Sequence, residues 1–293
     1  MRSWQSFLVE RLLFLNKKQI NTSTYMEQRR IANETPYVLP AKLKQNYNIL
    51  INNSYSLDTY MLKSALHPDT RQILYLHGGG YIEQPLSWHW RFLDKLSQKL
   101  NGTITVPVYP KAPNHQYKEA FEKVLPIYED LLTKTSPDNI VLMGDSAGGG
   151  FALALAQLLL EKGIPQPGNI ILLSPWLDIS LQNPKITAME AKEPMLDVNL
   201  LIEVGKTFAG DTKTSNFLLS PINGPLQGLG KISLFVGTHE LFLPDARKFK
   251  TLADKEKVFI HYHEYPKMNH VFPVFPIPEA KKAMQKMIEI IMD

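Results

Sequence analysis

From about residue 70 onward the chain alternates short apolar runs with longer stretches in which apolar residues return every three or four positions. Six runs read as buried strands: Gln72–His77, Gly102–Val108, Asn139–Met143, Asn169–Leu173, Ile232–Val236 and Val258–His263. The stretches Ser87–Leu100, Tyr117–Leu132, Ala147–Lys162 and Glu279–Met292 read as helices. Strands that alternate with helices predict an α/β fold, a parallel sheet covered on both faces. Tyr47–Ile51 and Thr59–Leu62 precede the alternation as an antiparallel pair.

Two segments break the rhythm: the N-terminal region through about Pro40, and Asp178–Pro225, too long for a simple loop. Both contain helical pieces. Asn199–Phe208 is one, and Phe7, Leu8, Leu12 and Leu15 fit one face of another. In open α/β sheets ligands bind beyond the carboxyl ends of the strands. Packed together over that end, the two segments would shape a pocket.

Composition narrows the reading. The 293 residues are 44% hydrophobic and 20% charged, the balance of an ordinary globular protein. The formal net charge of +4 is small and suggests no nucleic-acid partner. Gln28-Arg29-Arg30 reads as a solvated helix face. With no cysteine, disulfides and a thiol nucleophile are excluded. Glu10 and Arg11 interrupt the apolar N-terminus, contrary to a signal peptide. No apolar run of about 18 residues exists to span a membrane. A cytoplasmic location is expected.

The chemistry is concentrated in two glycine motifs. Gly144-Asp145-Ser146-Ala147-Gly148 follows a strand and opens a helix, the setting of a nucleophile elbow, where a sharp turn exposes the serine hydroxyl. His77-Gly78-Gly79-Gly80-Tyr81 also follows a strand, and backbone N–H groups in such a loop can stabilise an oxyanion. No Gly-Lys-Ser/Thr follows, as a phosphate loop would require.

In this arrangement the acid and then the histidine come after the serine in the chain. His270, beyond the last strand and before the terminal helix, is the expected base. Glu240, just past Ile232–Val236, is the expected acid; Asp245 is the alternative, at a position where an aspartate would otherwise cap a helix. His261 and His263 share a strand face without an obvious third metal ligand, and His67, His89 and His115 read as surface or packing residues.

Taken together these residues resemble the hormone-sensitive-lipase-like branch of the α/β-hydrolases. Tyr109-Pro110-Lys111-Ala112-Pro113-Asn114-His115 is similar to that family's Y-R-L-A-P-E segment, and Leu173-Ser174-Pro175-Trp176-Leu177-Asp178 to its S-P-W-x-D segment. Glu193-Pro194-Met195-Leu196 and Asn269-His270-Val271-Phe272 fall in the family's order. The resemblance covers roughly residues 70 to 285. It implies one α/β-hydrolase domain over 1–293, with a sheet of about eight mostly parallel strands and a helical cap from about 1–42 and 178–225. It places the oxyanion donors on Gly79, Gly80 and Ala147.

The implied activity is hydrolysis of short- to medium-chain carboxylic esters through an acyl-enzyme, without metal or organic cofactor. Amide or thioester cleavage and acyl transfer would use the same residues, and a ligand-binding homologue is the competing class. Two departures stand out: the family's catalytic aspartate is Glu240 here, and its arginine is replaced by Lys111 or Pro110 depending on register. Tyr81, Trp176, Phe208 and Phe217 are candidates to line the substrate cleft. The partner is a small ester, and an edge strand could support a homodimer.

Overall fold

The structure is a computed structural model that describes residues 2–17, 19–47, 49–52, 54–64 and 71–293. Helices α1 (Trp4–Asn16), α2 (Thr22–Asn33) and α3 (Ala41–Asn46) lead into strands β1 (Ile49–Asn52), β2 (Thr59–Lys63) and β3 (Gln72–Leu76). Next come α4 (Ser87–Leu100), β4 (Thr103–Pro107), α5 (Tyr117–Lys134), β5 (Ile140–Asp145), α6 (Ala147–Glu161) and β6 (Asn169–Leu173). The chain ends with α7 (Val198–Ala209), β7 (Lys231–His239), α8 (Leu243–Lys255), β8 (Ile260–Asn269) and α9 (Pro278–Met292).

The eight strands form one sheet in the order β1-β2-β4-β3-β5-β6-β7-β8. β2 is antiparallel to both β1 and β4, and the pairs from β4 through β8 are parallel. Strand periodicity of two splits the apolar residues between two cores. Leu74, Leu142 and Leu172 join Phe121 of α5, Phe151 of α6 and Phe249 of α8 on one face. Tyr75, Met143 and Ile171 join Leu93 of α4 and Met287 of α9 on the other.

The alternation read from the sequence is present, with boundaries moved by a few residues. Helix α8 is an addition. Its apolar positions are few, and Leu243, Ala246, Phe249 and Ala253 become a stripe only when laid on the sheet. β7 and β8 run past the apolar runs that announced them, to His239 and Asn269, because their pairing continues beyond Gly237 across a bulge.

The N-terminal helix is oriented opposite to the usual rule. Its apolar residues do share a face, but that face points outward: Trp4 is 69% exposed, Leu12 57% and Leu15 82%. The inward side is mixed: Val9 and Leu13 pack against the core, beside buried Ser6 and Glu10. Ser3 N–H and Oγ donate to Glu279 of α9, and Glu10 meets both Arg2 and His239. Helix α2 packs against α7, which brings the two irregular segments together.

One phenylalanine within α8 and one just before β8 give a direct test. Phe249 is fully buried, whereas Phe259 is 76% exposed. Urea denaturation should show Phe249→Ala losing about 3–5 kcal/mol, with Phe259→Ala within about 0.5 kcal/mol of the parent.

Candidate active site

β5 ends at Asp145 and α6 begins at Ala147, so Ser146 alone makes the turn, with φ 52° and ψ −123°. A non-glycine residue there is strained and persists only where its surroundings hold it. Here Ser146 N–H donates to Leu173 O at 2.8 Å, and Ser146 O accepts from Trp176 N–H at 2.9 Å and Gly150 N–H at 3.1 Å. The turn is also too tight for side chains on either flank. A Cβ on Gly148 would lie 2.0 Å from Leu76 O, and one on Gly144 would lie 2.1 Å from Gly148 O.

The ends of β7 and β8 bring two further residues to this turn. His270 Nε2 lies 2.9 Å from Ser146 Oγ. Its Nδ1 lies 3.4 Å from Glu240 Oε1, a long contact. The carboxylate is pinned by its other oxygen, which accepts from Ser174 Oγ and Gly237 N–H, both at 2.8 Å. Ser174 Oγ in turn accepts from Val271 N–H at 3.0 Å, tying the acid to the histidine's own loop.

Burial acts to lower the His270 pKa. The hydrogen bond and charge of Glu240 outweigh it, with help from Glu193 and Asp145, and the net shift is upward. Asp245, the alternative acid, is elsewhere in the network: its Oδ1 accepts from Asn183 Nδ2 at 2.8 Å, in the first turn of α8. Burial raises its pKa above the ordinary carboxylate value.

The glycine loop after β3 is held from below by Asp145. This buried carboxylate accepts from Gly78 N–H at 2.8 Å and Tyr75 Oη at 2.6 Å, and lies 3.2 Å from His89 Nε2. Burial opposes its charge, yet these partners, His89 first, hold its pKa below the usual value. His89 is therefore a buried packing residue, whereas His115 is half-buried and pairs with Glu119. His67 lies outside the described residues.

His77 stacks on Tyr109, whose hydroxyl donates to His77 O at 2.6 Å. Burial and the charge of Lys111 push the His77 pKa down to about 3, so the ring is neutral and its Nδ1 donates to Gly78 O. Lys111 lies in the segment that resembles the family's Y-R-L-A-P-E. It is buried, donates to Tyr109 O at 2.9 Å, and has its pKa lowered by burial to about 8.

Gly79, Gly80, Ser146 and His270 open into a cavity of about 200 Å³. A larger depression of about 870 Å³, around Asn183 and Lys248, has neither Ser146 nor His270 in its walls. The smaller cavity is walled by Ile20 and Tyr25 from the N-terminal segment, by Met195, Leu196 and Leu201, and by Trp88. Tyr81, Trp176 and Phe208 do not line it. They stack on one another as fully buried core, Tyr81 on Phe208 with centroids 4.3 Å apart. Phe217 is half-buried and is likewise absent from these walls.

Sequence reasoning missed two residues here. Ser174 sits inside a motif that had been noticed, but its bond to Glu240 spans 66 positions. Glu193 is a fully buried carboxylate that accepts from Met195, Leu196 and Leu241 N–H, so it clamps the cavity wall to the residue beside Glu240. Burial raises its pKa. Among the described residues, no group of three or more His, Asp and Glu side chains could hold a metal ion, the His261–His263 pair included.

Comparison with known proteins identifies the fold and the family. A family profile described as the alpha/beta hydrolase fold matches residues 73–274. An acetyl-hydrolase from Streptomyces hygroscopicus is 31% identical over 222 residues, 74% of each chain. An esterase from Acinetobacter venetianus is 30% identical over 224 residues, 75% of this chain and 74% of its own. A Staphylococcus aureus structure assigned as an esterase superposes with a TM-score of 0.88 at 29% identity, covering 94% of both chains. A hormone-sensitive lipase from a metagenome library shares the fold, with a TM-score of 0.84 at 24% identity over 98% of this chain and 97% of its own. A serine on a strained strand-to-helix turn, a histidine beyond the last strand and a profile match across most of the sheet lead to one conclusion: the chain belongs to the α/β-hydrolase family.

Proposed function

We propose that this chain is a serine carboxylesterase in which Ser146 is the nucleophile, His270 the general base and Glu240 the acid that orients it. The chain is a carboxylic ester hydrolase, like the esterase and acetyl-hydrolase relatives it matches over three quarters of its length. The observation that carries the finer reading is the 2.9 Å approach of His270 Nε2 to Ser146 Oγ, made by residues 124 positions apart.

In the reaction, Ser146 Oγ attacks the ester carbonyl carbon as His270 Nε2 takes the hydroxyl proton. The carbonyl oxygen becomes an oxyanion, stabilised by the N–H groups of Gly79, Gly80 and Ala147. The C–O bond to the alcohol then breaks, and His270 returns the proton to the departing oxygen. Water repeats the attack on the acyl-enzyme, giving up its proton to His270; the bond to Ser146 Oγ then breaks, His270 returns the proton to that oxygen, and the carboxylic acid is released. Through both steps Glu240 keeps the proton on Nδ1 and stabilises the imidazolium.

The N-terminal segment and residues 178–225 act as the cap, since both contribute walls to the cavity. At about 200 Å³ the space is small beside the roughly 300–1,000 Å³ of drug-sized ligand pockets. That favours short acyl groups. A cytoplasmic location and a small ester partner belong to the same reading.

Three measurements test it. A fluorophosphonate should label the native chain and fail on Ser146→Ala, whose kcat should fall roughly 10⁵–10⁶-fold. Failure to label the native chain would point to a binding homologue.

The general base acts as neutral imidazole, so kcat/KM should rise with pH through the elevated His270 pKa. Glu240→Gln removes the charge that raises this pKa and leaves burial, which lowers it. Its acid limb should therefore move to lower pH while the plateau drops about 10⁴-fold. Asp245→Asn, which preserves an acceptor for Asn183, should leave both features in place; the reverse result would exchange the two assignments.

Hydrolysis of p-nitrophenyl esters from acetate to palmitate should peak at acyl chains of about two to six carbons, as the cavity volume implies. Activity confined to the longest chains would contradict the substrate class.

A further inference from the structure

We infer that helix α1 is a docking surface for an anionic lipid bilayer, laid flat on it with the apolar face inward. The motivating feature is the reversed orientation of this helix. Trp4, Leu8, Arg11, Leu12 and Leu15 repeat at helical spacing and so share one face, with Phe7 at its border. Trp4, Phe7, Leu8, Leu12 and Leu15 are 69%, 45%, 47%, 57% and 82% exposed, a contiguous apolar patch of the kind that marks an interaction site.

The reversal is fastened rather than incidental. Ser3 and Ser6 bond to Glu279, Arg2 and His239 hold Glu10, and Lys17 Nζ donates to Glu193 O at 2.7 Å. Rolling the helix to bury its leucines would break every one of these contacts.

Charge selects the occupant. Arg2 is paired with Glu10 on the inward side and Lys17 Nζ bonds to Glu193 O, so the charge that stands on the apolar face is Arg11, while the helix's one acid, Glu10, is buried on the opposite side. Arg11 stands in the middle of the apolar stripe, its guanidinium 5.1 Å from the Phe7 ring. A second copy seated symmetrically on this face would bring two Arg11 side chains together in a drying patch, which is unfavourable. Lipid headgroups instead supply the opposite charge, while acyl chains take Leu8, Leu12 and Leu15 and the indole of Trp4 sits at the boundary.

Docking in this pose would also serve the site. Leu13 and Lys17 of α1 border a groove that shares Ile20, Tyr25, Met195, Leu196 and Asp197 with the cavity at Ser146. The bilayer would then lie beside the opening through which an ester enters.

The test uses the full chain with vesicles of phosphatidylcholine, with and without phosphatidylglycerol. Co-sedimentation should occur with the mixed vesicles, weaken in high salt and be much lower on phosphatidylcholine alone. The triple variant L8E/L12E/L15E should lose at least about tenfold in partitioning and keep native turnover of soluble p-nitrophenyl acetate, which shows that it is folded. If that variant fails to fold, Trp4 emission, taken as native minus Trp4→Phe, should shift to the blue on mixed vesicles. Absence of binding and of an emission shift in the native chain would overturn the proposal. So would a native dimer that ignores vesicles and becomes a monomer in L8E/L12E/L15E, which would assign the face to a second copy.

Discussion

The geometry of the site rests on one residue held in a conformation it would not choose. Ser146 joins β5 to α6 without a loop, and its positive φ is maintained by hydrogen bonds from β6 and from the segment after it. Strain of this kind costs roughly 1–3 kcal/mol and survives only when the neighbours over-determine it. The contacts at Gly144 and Gly148 have the same origin, because strand, turn and helix pass within van der Waals distance of one another. Anything that loosened β6 or the sheet centre would therefore release the serine as well.

Around that turn the protein buries carboxylates in unusual number. Asp145, Glu193 and Glu240 are each at most 2% exposed, and each is met by backbone N–H or side-chain donors. Charges removed from water need such partners, or they shift their pKa and neutralise. Each carboxylate joins separate parts of the chain. Asp145 links the serine turn to the glycine loop, Glu240 links β7 to the histidine, and Glu193 links the cavity wall to β7. The long 3.4 Å contact from His270 Nδ1 follows from this, since the other oxygen of Glu240 is committed to Ser174 and Gly237.

Much of this was legible in the residues alone. The apolar runs of β3 to β6 declared themselves because central parallel strands are buried on both faces and read as continuous hydrophobic stretches. The two glycine motifs were visible for a related reason: backbone that must approach other backbone closely excludes side chains, and that exclusion is written as glycine. Chain order then singled out His270 and Glu240, because each sits just beyond a strand end on the same edge of the sheet.

What remained hidden has a common physical cause. His89 beneath Asp145, Ser174 beside Glu240 and the clamp by Glu193 are contacts between residues 48 to 66 positions apart, and nothing local in the sequence marks them. The aromatic residues Tyr81, Trp176 and Phe208 looked suited to a cleft, yet packing turned them into core and gave the cavity to Ile20, Tyr25 and Met195. The periodicity of α1 predicted an apolar face, but not the direction it points. Local sequence determines which residues share a side of a helix or strand, since that follows from backbone geometry. Which side meets the protein depends on partners far along the chain, and here Glu279, His239 and Glu193 claimed the side that carries Ser6, Glu10 and Lys17.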